Sequence, residues 1–306
     1  MKNNILIIGG TGFLGYHLSR TCIKKGWKVT SISSKKPKKK RYLKKVTYLK
    51  LDITKKDLLH KKLKNKYDYV INFGGYVNHY EKKKTYNTHY LGCKNLVDFF
   101  QDKKIKSFIQ IGSCTEYGSK RSPQKEENII KADKIKTTYG KSKLLSTNYL
   151  LKKYKSNKFP CTILRLYLVY GPRQDYNRLI PIVIKNCLEN KYFPCSEGSQ
   201  LRDFLYVDDF VKAVLKVFKQ KKAHGEILNI GYSKPLKVSY VIKKINKIIK
   251  FGNPQFGKIK LRVDEIKSLY PSINKTRKLL KWKPTIGFLS GIKKTIKYYK
   301  SSLKFS

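Results

Sequence analysis

Residues 5–8 form a continuous apolar run of strand length closed by Gly9 and Gly10, and residues 13–25 then carry apolar positions at helical spacing up to Gly26. This strand, turn and helix opening repeats along the chain. Residues 27–32, 47–51, 69–73, 107–111 and 161–167 read as further strands, with helices predicted over 54–63, 87–100 and 139–152. The strands lack the in/out alternation of a half-solvated sheet, which indicates burial on both faces and therefore a parallel sheet covered by crossover helices. Thr54 followed by Asp57 has the spacing of an acidic capping box at the start of the second helix. After Tyr170-Gly-Pro-Arg-Gln174, glycine and proline punctuate the chain more densely. A helix at 207–218 and a strand at 227–230 return to the first pattern, and Val238, Val241, Ile242, Ile245, Ile248 and Ile249 mark an amphipathic helix over 238–250. The expected fold is a doubly wound parallel α/β sheet of Rossmann type with a smaller, interleaved α/β lobe. Residues 1–168, with a returning segment at about 205–231, form the expected sheet domain, and 169–204 with 232–306 the second lobe.

Composition changes this picture little. Lys and Arg total 70 against 19 Asp and Glu, a formal charge of +51, which attracts polyanions. Beyond the run from Lys35 to Arg41 the lysines fall at solvent-facing spacings, and the arginine forks and clustered aromatics of specific nucleic-acid recognition are scarce. A nucleic acid is therefore not expected as a specific partner. With 40% hydrophobic residues the chain can build a core, which excludes a disordered polycation. The six cysteines show no CxxC pair or metal-ligand spacing, so free thiols, no metal site and a cytoplasmic location are expected. No signal-peptide pattern or membrane-length apolar stretch is read from the sequence.

Candidate chemistry begins at Gly9-Gly-Thr11-Gly12-Phe13-Leu14-Gly15, directly after the first strand. Gly9 permits a tight turn, Gly12 lets backbone approach a pyrophosphate, Gly15 lets the helix pack closely, and the helix amino terminus attracts phosphate. Thr11, Phe13 and Leu14 belong to the same contact set. An acidic residue at the end of the second strand would accept hydrogen bonds from a free ribose 2′-hydroxyl; Ser33-Ser34-Lys35 stand there instead, favouring NADP over NAD. Asp52 and Ile53 after the third strand, and Phe73 and Gly74 after the fourth, complete the expected cofactor contacts, Asp52 for the adenine amine.

Tyr139 and Lys143 lie one helical turn apart and share a face. A neighbouring ammonium stabilises a phenolate, so the pair is expected to lower the tyrosine pKa and to shuttle a proton. Ser113 follows the strand at 107–111, at the sheet end where doubly wound proteins bind ligands, and can hold the same substrate oxygen.

Together these residues resemble the extended short-chain dehydrogenase/reductase family, in particular its nucleotide-sugar epimerases, dehydratases and 4-ketoreductases. The likeness extends through Asn72-Phe-Gly-Gly75, Tyr170-Gly-Pro172, Arg202-Asp-Phe-Leu-Tyr-Val-Asp208 and Trp282-Lys-Pro284. It implies that Ser113, Tyr139 and Lys143 are catalytic, that Ser113 and Thr115 face the sugar, and that Arg202 and Arg262 contact the diphosphate of a nucleotide-sugar. It also implies a homodimer. Cys114 and Thr115 occupy the places of the acidic pair of the 4,6-dehydratases, which disfavours loss of water. The fucose-synthase branch carries a cysteine where Thr115 stands, and Cys114, one step earlier, is expected to point away from the site. His89 and Leu168 each replace a frequent asparagine, and His79 and His89 are read as structural. The implied activity is an NADP-dependent 4-ketoreductase similar to CDP-abequose and CDP-paratose synthases. The alternatives are an epimerase that retains NAD and, from a different class, an RNA-binding member of the family.

Overall fold

The computed structural model describes residues 2–63, 66–76, 78, 80–128, 130–261 and 265–303. Its first half contains β1 (Asn4–Ile8), α1 (Phe13–Lys24), β2 (Lys28–Ser33), β3 (Val46–Lys50), α2 (Lys56–Lys62), β4 (Tyr69–Asn72), α3 (Lys82–Tyr86), α4 (Gly92–Phe100), β5 (Ser107–Ser113), α5 (Thr138–Asn157) and β6 (Cys161–Leu166). The second half continues with β7 (Leu168–Tyr170), α6 (Leu179–Leu188), β8 (Tyr192–Pro194), β9 (Leu201–Arg202), β10 (Phe204–Tyr206), α7 (Val207–Phe218) and β11 (Glu226–Ile230). It ends with β12 (Leu236–Lys237), α8 (Val238–Ile249), β13 (Asn253–Gln255), β14 (Ser268–Leu269), α9 (Asn274–Leu280) and α10 (Phe288–Leu303).

Among the described residues seven strands form one sheet in the order β3-β2-β1-β4-β5-β6-β11, and every pairing is parallel. The continuous apolar runs follow from this: successive side chains of a strand point to opposite faces, and here both faces are covered. Ile5 and Ile7 join Leu18 and Cys22 of α1 and Phe210 and Val214 of α7 on one side. Leu6 and Ile8 join Leu59 of α2, Leu96 and Val97 of α4 and Leu150 of α5 on the other. The strand order reverses between β1 and β4, which opens a crevice at the carboxyl ends of these strands.

The remaining strands are short. β7 pairs with β10, β9 pairs with β12 and β14, and β8 pairs with β13. The apolar cluster beneath them is not separate from the sheet: Ile184, Phe193, Ile242, Ile245 and Ile292 belong to the same buried cluster as Ile5 and Ile7.

Two local expectations are corrected. The capping box at Thr54 does not form, because the second helix starts at Lys56 with Lys55 as its cap. Thr54 turns instead to Asp52, whose Oδ1 accepts its N–H and its hydroxyl at 2.9 and 2.8 Å. The helix expected over 87–100 begins earlier, as α3, and passes through a π-turn at Asn87–Leu91 before α4. That turn is held from outside: the His89 carbonyl accepts the Ser146 hydroxyl of α5 at 2.7 Å.

Candidate active site

The turn after β1 is built around backbone contacts. Gly9, at φ +73°, donates its N–H to the Ile32 carbonyl at 2.7 Å, and its carbonyl accepts from Gly12 at 3.0 Å. A side chain at Gly15 would stand 2.5 Å from the Gly10 Cα and 2.6 Å from the Gly9 carbonyl oxygen, so only glycine lets α1 approach the turn. Helix α1 begins at Phe13 after its cap Gly12, with no side-chain cap and no acidic residue in its first turn. Its N–H groups and dipole therefore favour an anion there. Thr11, Phe13 and Leu14 are half-buried along this edge. Phe73 and Gly74 come up from β4 on the other side, at 3.1 and 3.2 Å from the position a Gly9 Cβ would take. These features fit a dinucleotide pyrophosphate laid across the turn.

At the end of β2 the Ser33 hydroxyl accepts from Thr11 Oγ1 at 2.9 Å and donates to the Ile32 carbonyl at 2.7 Å, while Ser34 and Lys35 are exposed. Further along, Lys38, Lys40 and Arg41 converge on Asp175 at 3.2, 3.4 and 2.7 Å. The buried Arg41 guanidinium also donates to the Arg173 carbonyl. Burial pushes the Asp175 carboxyl up, but the hydrogen bonds and charges of Arg41 and Lys38 outweigh it and hold the group down to about 2. Asp52 is exposed and caps its own turn, and Ile53 is buried against Gly74 and Gly92.

The chemistry-bearing trio does come together. Ser113 ends β5, and Tyr139 and Lys143 lie in the first two turns of α5, whose cap Thr137 accepts the Gly140 N–H at 3.1 Å. The Ser113 hydroxyl lies close enough to the Tyr139 phenol to favour its ionised form. The Lys143 Nζ sits 5.9 Å from the Tyr139 ring centroid and donates to the Ile111 carbonyl at 2.6 Å. His89 packs edge-on against the Tyr139 ring with centroids 4.9 Å apart.

The electrostatics differ from expectation. Burial pushes the Tyr139 phenol up to about 12, only partly offset by the Ser113 hydroxyl and the Arg178 charge. The same burial pushes Lys143 down to about 8, with Glu116 and Cys93 opposing. Desolvation thus exceeds the attraction between the pair, and the protein alone does not make the phenol acidic. Cys114 is also corrected. Its thiol lies within electrostatic reach of Ser113, Tyr139 and Arg202, so it faces the site. Burial raises it to about 12, which keeps it a neutral thiol.

Thr115, half-buried, donates its hydroxyl to Ser113 Oγ at 2.9 Å. Arg202 on β9 ion-pairs with Glu265 and donates to the Leu201 carbonyl at 2.8 Å, so its guanidinium is already partnered. Arg262 and His79 lie outside the described residues.

Sequence reading missed Glu116, whose fully buried carboxylate accepts the Ser113 N–H at 2.7 Å, the Thr147 hydroxyl at 2.8 Å and Arg165 Nε at 2.9 Å. The signal was present, since Ser113-x-x-Glu116 has capping-box spacing and the box forms.

A doubly wound sheet with a glycine turn at its first strand, and a Ser, Tyr, Lys trio at the crevice, defines a dinucleotide-dependent enzyme of the extended short-chain dehydrogenase/reductase class. The chain belongs to the NAD dependent epimerase/dehydratase family, a model of which matches residues 5–231. It is 28% identical to a UDP-N-acetyl-alpha-D-glucosaminuronate decarboxylase of Bacillus cytotoxicus, with 98% of each chain covered. Its fold is similar to that of a UDP-glucose 4-epimerase of Thermotoga maritima solved with UDP-glucose, with TM-score 0.91, 23% identity, and 98% of this chain and 99% of that one covered. A variant of a UDP-glucuronic acid 4-epimerase of Bacillus cereus, solved with NAD, has TM-score 0.86 at 25% identity, covering 98% of this chain and 99% of that one. No helix among the described residues is long and apolar enough to cross a membrane.

Proposed function

We propose that this enzyme is a 4-ketoreductase of a 4-keto-6-deoxy nucleotide-sugar and that NADP is its dinucleotide. The observation that carries the reading is the convergence of Ser113, Tyr139 and Lys143 beside a neutral Cys114 and Thr115. Ser113 and Tyr139 can hold one carbonyl oxygen between them. When the carbonyl carbon accepts hydride, that oxygen gains a proton from Tyr139, and Ser113 stabilises the negative charge that builds up before the transfer. Bound nicotinamide supplies the hydride and, once oxidised, a positive charge that favours phenolate. Lys143, fixed by the Ile111 carbonyl, adds its own charge below the phenol. Elimination of water needs an acid and a base flanking the sugar, and neither a hydroxyl nor a thiol raised to about 12 serves at neutral pH.

NADP is supported by Ser33, Ser34 and Lys35, which offer hydroxyls and a cation where a carboxylate would repel a 2′-phosphate. Arg202, with Arg262, is assigned to the substrate diphosphate; for Arg202 this requires it to exchange Glu265 for phosphate oxygens. In this reading residues 1–168 with about 205–231 carry the dinucleotide, and 169–204 with 232–306 carry the sugar nucleotide. The enzyme acts as a cytoplasmic homodimer, and its positive surface serves no specific nucleic acid. An epimerase that retains NAD is the second reading, favoured by the likeness to epimerases, one of them solved with NAD.

The test is a screen of 4-keto-6-deoxy nucleotide-sugars with NADPH and NADH, followed by loss of reduced-nicotinamide absorbance. Stoichiometric NADPH consumption is expected. Tightly retained NAD and interconversion of two sugars without net consumption would replace the reductase reading by the epimerase one.

A further inference from the structure

We infer that Glu116 is a positioning residue that locks the strand end carrying Ser113 to the helix carrying Tyr139 and Lys143. A capping box alone requires one carboxylate oxygen on the cap N–H, and Oε1 makes that bond to Ser113 at 2.7 Å. Oε2 does more. It accepts from Thr147 on α5, one turn beyond Lys143, and from Arg165 on β6. Room for the carboxylate comes from Gly112, where a Cβ would stand 2.5 Å from Oε1. Arg165 is itself clamped, with its guanidinium 4.3 Å from the Tyr117 ring centroid, and Tyr117 donates to Asn229 on β11 at 2.7 Å. One anion therefore ties β5, α5 and β6 together directly under the reactive hydroxyls, and Thr115 completes the frame by bonding Ser113 Oγ.

The charge has a second effect. Glu116 favours the protonated forms of both Tyr139 and Lys143. Among the described residues Ser113, Cys114, Arg178, His89 and Lys143 also face Tyr139. Neutralising Glu116 removes a negative charge that opposes the phenolate, so the phenol should ionise at lower pH.

The effect on turnover rests on the proposed reductase activity; the effect on ionisation rests only on dinucleotide binding. The readout is therefore the affinity of oxidised dinucleotide as a function of pH, because a phenolate attracts the positive ring, with Tyr139→Phe as the reference lacking the titrating group. In Glu116→Gln the midpoint of that dependence is expected about one pH unit below wild type, and kcat is expected to fall roughly tenfold with little change in KM. Should Glu116→Gln fail to fold with Arg165 left unpaired, Glu116→Gln with Arg165→Met removes both buried charges and should show a midpoint lowered by less, because the Arg165 cation that favours the phenolate is lost too, with the same fall in kcat. Thr147→Val removes only the helix anchor and should lower kcat while leaving the midpoint where it was. A midpoint in the Glu116 variants that coincides with wild type, or a Thr147→Val enzyme with unchanged kcat, would overturn the inference. A wild type that binds dinucleotide but reduces no keto-sugar would sink the reductase reading and leave the titration test intact.

Discussion

Replacing Gly15 by alanine tests the glycine turn most directly, because the new methyl group meets backbone rather than a side chain that can swing aside. Its Cβ would lie 2.5 Å from the Gly10 Cα, 2.6 Å from the Gly9 carbonyl oxygen and 2.9 Å from the Gly10 carbonyl carbon. To reach even a 3.0 Å separation from the first of these, α1 must retreat by about 0.5 Å. The retreat has a cost, since Leu18 and Cys22, three and seven positions on and on the same helix face as Gly15, are fully buried with β1 and α7 and would be drawn off that core. Overpacking of this kind costs about 1–3 kcal/mol. The retreat also draws the helix amino terminus and its N–H groups away from the pyrophosphate, so dinucleotide affinity should fall by about tenfold or more, equivalent to ~1.4 kcal/mol. Titration of NADPH fluorescence against Gly15→Ala measures the affinity, and thermal unfolding measures the stability. Ile245→Val, a buried α8 change expected to cost ~1 kcal/mol, is the control for simple destabilisation and should leave affinity intact. An alanine variant that binds NADPH within about twofold of wild type would refute the assignment of this turn to the pyrophosphate.

Tyr139→Phe should reduce turnover by about 10²–10⁴-fold while the fold and dinucleotide binding persist, checked by steady-state rates beside a binding titration. Lys143→Met should stabilise the protein at neutral pH. The unfolded chain holds this proton to pH 10.5 and the folded one only to about 8, so between those values stability climbs with pH as the folded-state penalty is relieved. Below pH 8 that penalty is on the order of 3 kcal/mol, reduced by about 1 for the lost bond to Ile111, and denaturant melts should show a gain near pH 7 that shrinks towards pH 10. Ser34→Asp should move the ratio of kcat/KM for NADPH over NADH towards NADH by at least about tenfold; an unchanged ratio would show that the loop after β2 does not read the ribose.

The parallel sheet was legible because burial on both faces favours apolar runs in central strands, and Ile5 to Ile8 needs no partner to be recognised, although Ser107 and Gln110 interrupt the run of β5. The glycine turn and the Tyr139 and Lys143 pair were legible because their geometry is local. What the sequence hid depends on residues far apart along the chain. The Glu116 and Arg165 pair spans 49 positions, and Arg202 and Glu265 span 63. The π-turn at Asn87–Leu91 is stabilised by Ser146 and by the packing of His89 on Tyr139, none of which a local propensity encodes. The raised Tyr139 and lowered Lys143 were missed for a related reason. Spacing reveals a neighbouring charge, whereas the solvent stripped from both groups depends on how the whole crevice closes.

The apolar cluster that runs unbroken from Ile5 and Ile7 beneath the short strands to Ile242 and Ile292 makes the smaller lobe a dependent of the larger. Excising either part would strip a greasy face bare, so a chain cut back to the large sheet and its helices should clump in solution instead of standing alone. The intact chain should melt in a single cooperative step, and a mutation among the short strands will be felt as lost abundance of the entire enzyme.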